Sequence, residues 1–194
     1  GSDSSTRFTV NPLKFNDNVQ LQIGTGGDLR IYHDGSSSIL DNAVGHLDIK
    51  NSTNDADIRF FCDDGSGGLT EYFRLDGSLA DGTNTYVRFP DSGNIALGAS
   101  NDLRLYHDSF NSYINNFTGN LEIRNDADDG DIVFRSDDGS GGLNEYLRID
   151  GGADRTIFSR SSRHQDGVVA SFGTSEDLQI YHDGSNSYIN ETGT

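Results

Sequence analysis

The chain has 194 residues, 31 Asp and Glu against 14 Lys and Arg, and a formal net charge of −17. That charge repels nucleic acid and anionic membrane surfaces, and no apolar run reaches the roughly 20 residues of a membrane-spanning helix, so neither a nucleic-acid partner nor membrane insertion is expected. Leu, Ile, Val and Phe make up about a quarter of the chain, little above the roughly 20% below which so charged a sequence stays disordered, so any fold must come from patterning.

Gly1-Ser2, with no Met anywhere, reads as a tag remnant, and residues 1–11 as that remnant plus a linker; the chain reads as a piece of a longer protein. From residue 12 onward the apolar period is two. Leu21 and Ile23 flank Gln22, Leu29 and Ile31 flank Arg30, Leu47 and Ile49 flank Asp48, and Ile58 and Phe60 flank Arg59. Leu121, Ile123, Ile132, Phe134, Leu147 and Ile149 continue the scheme. Such alternation turns one face of a strand to a core and the other to water. Clusters of Gly, Asn, Asp and Ser recur at about the 8–12-residue spacing of an all-β chain. No segment holds a 3.6-residue period over three turns, so the fold class is all-β with very little helix.

The strongest feature is repetition. Asp-Leu-Arg-Ile-Tyr-His-Asp-Gly at 28–35 returns as Asp-Leu-Arg-Leu-Tyr-His-Asp-Ser at 102–109 and as Asp-Leu-Gln-Ile-Tyr-His-Asp-Gly at 177–184, at spacings of 74 and 75 residues. The match runs without insertion from 12 to 77, which divides the chain into repeat 1 (12–85), repeat 2 (86–160) and a partial repeat 3 (161–194). Each unit has room for six to eight short strands. Repeated units share a core with their neighbours, and here the apolar stripes are thin, often two residues wide. Two architectures answer that shortage. One chain can coil into a β-solenoid, or three can entwine around one axis and pool their stripes, which raises the buried fraction and hides strand edges.

The motif at 28–38, with its Gly24-Thr25-Gly26-Gly27 lead-in, resembles repeats of tail-fibre and virion structural proteins of tailed bacteriophages, most nearly the fibres of marine cyanobacterial phages. The stretch 138–150 is similar to sequence that precedes the C-terminal chaperone of phage fibres. The resemblance covers nearly all of 12–194. It implies a homotrimeric, elongated fibre shaft of intertwined β-helix or β-prism type, located on the virion and acting as a spacer in host attachment. It carries over no catalytic residue, and the chain is read as a structural protein and not an enzyme. The alternatives are a glycan-binding adhesin stalk and a fibre-borne polysaccharide depolymerase.

No resident cofactor is expected, and three sets of residues are weighed as candidate sites. His33, His107 and His182 lie two residues after Ile31, Leu105 and Ile180, on the apolar side of their strands. Three chains around an axis would gather their imidazoles, as a transition metal requires; the plainer role is a hydrogen bond that closes the stripe. Asp63 and Asp64, repeated as Asp137 and Asp138, concentrate carboxylates that could hold Ca²⁺, although Asp-Gly and Gly-Gly are first of all hairpin turns. Asn125–Asp131 is a further acidic loop of the same kind. Tyr32, Tyr106 and Tyr181 are expected on the opposite face, beside Arg30, Arg104 and Gln179, where rings can contact host glycan; Tyr is also common in strands for propensity alone. Arg74 and Arg148 stand three residues after Glu71 and Glu145, on opposite faces of a regular strand, and are expected to pair across strands with Asp instead. Cys62, whose counterpart is Ser136, is read as a small neutral residue.

Overall fold

Each run of alternating residues folds with its neighbours into a short antiparallel meander. The computed structural model describes residues 12–193; the tag remnant and linker assigned to 1–11 lie outside the described residues. Five three-stranded sheets form: β1 (Leu21–Ile23), β2 (Leu29–His33) and β3 (Ser38–Asn42); β4 (Ile58–Asp63), β5 (Leu69–Asp76) and β6 (Tyr86–Arg88); β7 (Ile95–Leu97), β8 (Leu103–His107) and β9 (Ser112–Asn116); β10 (Ile132–Asp137), β11 (Leu143–Asp150) and β12 (Arg155–Phe158); β13 (Ala170–Phe172), β14 (Leu178–His182) and β15 (Ser187–Glu191). Among the described residues there is no helix, and no strand bonds to a second sheet to close a barrel or coil a solenoid. The all-β expectation holds, with two kinds of sheet in alternation.

The chain divides into two units, Gly1–Thr118 and Gly119–Thr194, so three sheets belong to the first and two to the second. This division falls inside repeat 2. β6 lies past residue 85 yet pairs with β5, so the edge of a sheet and the edge of the sequence period do not coincide.

Register assigns the faces. In the first sheet Leu21, Ile31 and Leu40 stand side by side, and so do Gln22, Arg30 and Asp41. The β7–β9 sheet repeats this with Ile95, Leu105 and Ile114, and the β13–β15 sheet with Ala170, Ile180 and Ile189. In the β4–β6 sheet the apolar row is Ile58, Leu75 and Val87, followed by Phe60 and Phe73, with Arg59, Arg74 and Arg88 behind it.

The apolar faces are uncovered. No hydrophobic residue among those described is buried; Asp76, 4% exposed, is the one buried residue. Leu21, Ile31 and Leu40 are exposed, whereas Arg30, Tyr32, Ile39 and Asp41 on the opposite face are half-buried, because their long side chains lie across one another. In the β7–β9 sheet Ile95 and Ile114 are exposed and Leu105 is half-buried, and in the β13–β15 sheet Ile180 and Ile189 are exposed and Ala170 is half-buried.

Two expectations fail. Leu47 and Ile49, and likewise Leu121 and Ile123, alternate as strands do but join no ladder, because no partner strand lies beside them among the described residues. Arg74 does meet Glu71, at 3.6 Å, and Arg148 meets Glu145, at 3.8 Å. The reason is a bulge. Phe60 pairs with Phe73 and Phe61 with Glu71, so Tyr72 is an extra residue and the alternation resets, with Tyr146 doing the same in β11. The cross-strand acidic partners also form, Arg74 to Asp57 and Arg148 to Asp131.

Backbone geometry recurs with the sequence. The position two residues past each strand-end His has positive φ: Gly35 at 99°, Ser109 at 82° and Gly184 at 96°. A side chain there is strained. Ser109→Gly is expected to stabilise the protein by about 0.5 kcal/mol, since relief of strain outweighs the added freedom of the unfolded chain; urea denaturation measures it. Gly77 is required for a different reason. A Cβ on it would lie 2.5 Å from the Ala56 carbonyl oxygen, and its N–H donates to Asp57 Oδ1 at 3.0 Å. Gly77→Ala is expected to destabilise by about 1–3 kcal/mol through overpacking, read in the same denaturation series.

Candidate functional site

The chemistry-bearing residues sort by face. On the apolar side, His33, His107 and His182 end β2, β8 and β14, each opposite a serine. Nδ1 of each ring bonds that serine's hydroxyl, at 3.3 Å to Ser38, 3.1 Å to Ser112 and 3.1 Å to Ser187. Their carbonyls accept the N–H of Asn18, Ser92 and Gly167, each at 2.7 Å, so the preceding turn is pinned to the strand end. The three histidines belong to three separate sheets, and among the described residues no three His, Cys, Asp or Glu side chains come together to hold a metal ion.

The acidic loops are hairpin turns whose carboxylates hold the turn itself. Asp64 Oδ1 accepts the Ser66 amide (2.7 Å), the Ser66 hydroxyl (2.7 Å) and the Gly68 amide (3.0 Å); Asp63 Oδ2 accepts the Gly65 amide at 2.9 Å. Asp138 and Asp137 do the same with Ser140, Gly142 and Gly139. The serine hydroxyls first, then the amides, hold the Asp64 and Asp138 carboxyls below the ordinary aspartate range. In the Asn125–Asp131 loop, the Asn125 amide donates to the Asp131 carbonyl at 2.9 Å.

On the opposite face, Tyr32 stands across from Ile39, Tyr106 stacks on Tyr113 at 4.8 Å and Tyr181 on Tyr188 at 4.9 Å. The amides of Asn115 and Asn190 donate to the Tyr106 and Tyr181 hydroxyls, both at 3.3 Å. These rings are half-buried, and in the two stacked pairs a neighbouring tyrosine covers one ring face. Arg104 lies 4.9 Å over the Phe117 ring, and Arg30 pairs with Asp41 at 2.9 Å.

In the β4–β6 sheet the charged face is a closed network. Asp76 Oδ2 receives Arg74 Nε at 3.1 Å and Arg88 Nη1 at 3.5 Å, while Oδ1 receives the Ser78 hydroxyl at 2.7 Å and the Leu79 amide at 3.1 Å. The Ser78 hydroxyl is the largest influence holding the Asp76 carboxyl low, ahead of the Leu79 amide and Arg74, against the opposing effect of burial. Arg148, Asp131 and Asp150 rebuild much of this network one repeat on.

Comparison of the chain with protein-family models, with curated proteins and with solved structures gives no match.

Two features escaped the sequence reading. Asp76 looked like any of the many acids, although its counterpart Asp150 recurs at the repeat spacing and was the available signal. Phe60, Phe73 and Phe89 form an aromatic cluster, with ring centroids 4.4 Å apart for the first two and 5.9 Å for the second pair. Its members are spread over 30 residues, and only register brings them together. The face with unmet requirements is therefore the apolar one. The charged faces satisfy many of their polar groups within the chain, whereas no side chain of the apolar rows is buried among the described residues.

Proposed function

We propose that this chain is a structural segment of a tailed-bacteriophage fibre shaft, three copies of which entwine in β-prism or β-helix fashion into a rod that serves as a spacer in host attachment on the virion. The observation that carries this reading is the exposure of the apolar rows: stripes regular enough to specify a core, and no buried hydrophobic residue among those described. Burial of apolar area contributes about 25 cal/mol per Å², and a chain that leaves so much of it wet gains that stabilisation only by association. Leu47 and Ile49, with Leu121 and Ile123, fit the same picture, since sister chains can supply the ladder partners that one chain lacks. The repeat sets the length of the rod, and the charged outer faces keep it soluble. The role is structural, with no catalytic step.

Light scattering on the purified chain tests this. A mass of about three times 21.1 kDa is expected, and 21.1 kDa at all concentrations, with the fold retained, would overturn it.

A further inference from the structure

Three hairpin turns of this chain share one backbone, and one of them carries a different tip. In the β2–β3, β8–β9 and β14–β15 turns the amides of Asp34, Asp108 and Asp183 donate to the carbonyls of Ser37, Asn111 and Asn186, at 3.1, 3.1 and 3.0 Å. Oδ1 of each aspartate accepts the amides two and three residues on, at 2.7 to 2.9 Å. The residue after each aspartate has positive φ. Two of the tips read Gly-Ser, as Gly35-Ser36 and Gly184-Ser185, but the β8–β9 tip reads Ser109-Phe110. The shared backbone asks for neither change. Ser109 at φ 82° is strained. Phe110, 87% exposed, is the most exposed large hydrophobic side chain among the described residues. Both oppose stability, and both fall at one turn of the three.

Ser109 does what a glycine there cannot. Its hydroxyl donates to Asp91 Oδ2 at 3.0 Å and ties the tip to the preceding turn. Asp17 and Asp166 occupy the matching places beside Gly35 and Gly184, which offer them no hydroxyl. Phe110 therefore stands on a turn held by its own aspartate and by that of a neighbouring turn.

We infer that the β8–β9 tip is a binding site for an uncharged sugar, with the Phe110 ring as the platform for a C–H face and the Asn111 amide and Asp91 carboxylate as partners for hydroxyls. The inference goes beyond the spacer role and holds for any number of associated chains. The ligand class follows from what this tip has and the others lack, a ring and a hydroxyl, neither of them charged. Its carboxylates are common to all three turns, so charge does not single it out. Among the described residues no Lys or Arg lies in the turn or pairs with Asp91 or Asp108, so uronates and sulfates meet only like charge. An apolar protein pocket closing over Phe110 would strip water from Asp91 and Asp108 at high cost. A neutral sugar presents C–H faces and hydroxyls side by side, and leaves both carboxylates hydrogen-bonded.

The experiment passes the full chain over immobilised neutral oligosaccharides of hexoses, deoxyhexoses and N-acetylhexosamines, and over uronate and sulfate counterparts, and measures the affinity of each retained sugar by calorimetry. Retention of at least one neutral sugar is expected. Phe110→Ser, which copies the other two tips, is expected to weaken it about tenfold with the melting temperature unchanged. Ser109→Gly is expected to weaken it about threefold while raising the melting temperature, a split that a merely structural role would not give. No neutral sugar retained, retention of acidic sugars alone, or equal affinity in the Phe110→Ser chain overturns the inference. Phe110-dependent capture on phenyl-bearing beads without any sugar binding also overturns it and assigns the tip to an apolar protein partner. Affinity unchanged by Ser109→Gly overturns the positioning role of Ser109. None of these outcomes touches the shaft reading, which stands or falls on the mass by light scattering.

Discussion

Replacing Leu105 by Asp is expected to abolish assembly, with a loss on the order of 5 kcal/mol per chain. Leu105 stands in the middle strand of its sheet with Ile95 on one side and Ile114 on the other. Removal of its side chain from a pooled core forfeits about 2 kcal/mol of transfer free energy, and an unpaired carboxylate left in that core costs about 3–5 kcal/mol. Domains of this size are stable by only about 5–15 kcal/mol, so one such change per chain is enough. Ala96→Asp is the matching control. Ala96 pairs with Arg104 on the charged face, one residue from Ile95, and its substitution is expected to stay within about 0.5 kcal/mol. Both are read by light scattering and thermal melting at pH 8. A Leu105→Asp protein that keeps the mass and melting point of the control would mean that the apolar face is not an interface.

How far the fold could be read from the sequence follows from which interactions are local. Alternation placed the strands, because period two needs only neighbours along the chain, and Asp64-Gly65 and Asp138-Gly139 placed hairpin turns for the same reason. Leu47 and Ile49 show the limit: alternation makes a strand possible, and only a partner makes a ladder. The bulge at Tyr72 was hidden, since an extra residue is defined by pairing with β4 and not by β5 itself. That one residue also reversed the expectation for Arg74 and Glu71. The faces of Tyr106 and His107 were legible, but the stacking of Tyr106 on Tyr113 and the bond from His107 to Ser112 depend on cross-strand register.

Stability is expected to peak as pH falls and then collapse, because two electrostatic effects oppose each other. At neutral pH the charge of −17 acts against association, and it fades as the chain approaches its isoelectric point near 4.3, so the melting temperature should rise between pH 7 and about 4.5. Below that the turn carboxylates take over. Asp34 and Asp108 are held low by the amides of Ser37 and Asn111 first, Asp183 by that of Asn186, and Asp64, Asp138 and Asp76 by serine hydroxyls. Asp81 is lowered to about 2, chiefly by the Asn84 amide. Each is depressed in the folded state, so its contribution is complete above the unfolded value near 3.8 and is lost as pH falls through the folded one. Melting curves from pH 7 to 2 should therefore show a maximum, then a fall that steepens below about pH 4. Asp81→Asn keeps an acceptor for the Thr83 and Asn84 amides but removes the titrating group, and should make the fall between about pH 4 and 2 shallower without moving the maximum. A melting temperature that declines steadily from pH 7 would mean that charge repulsion is not what opposes association.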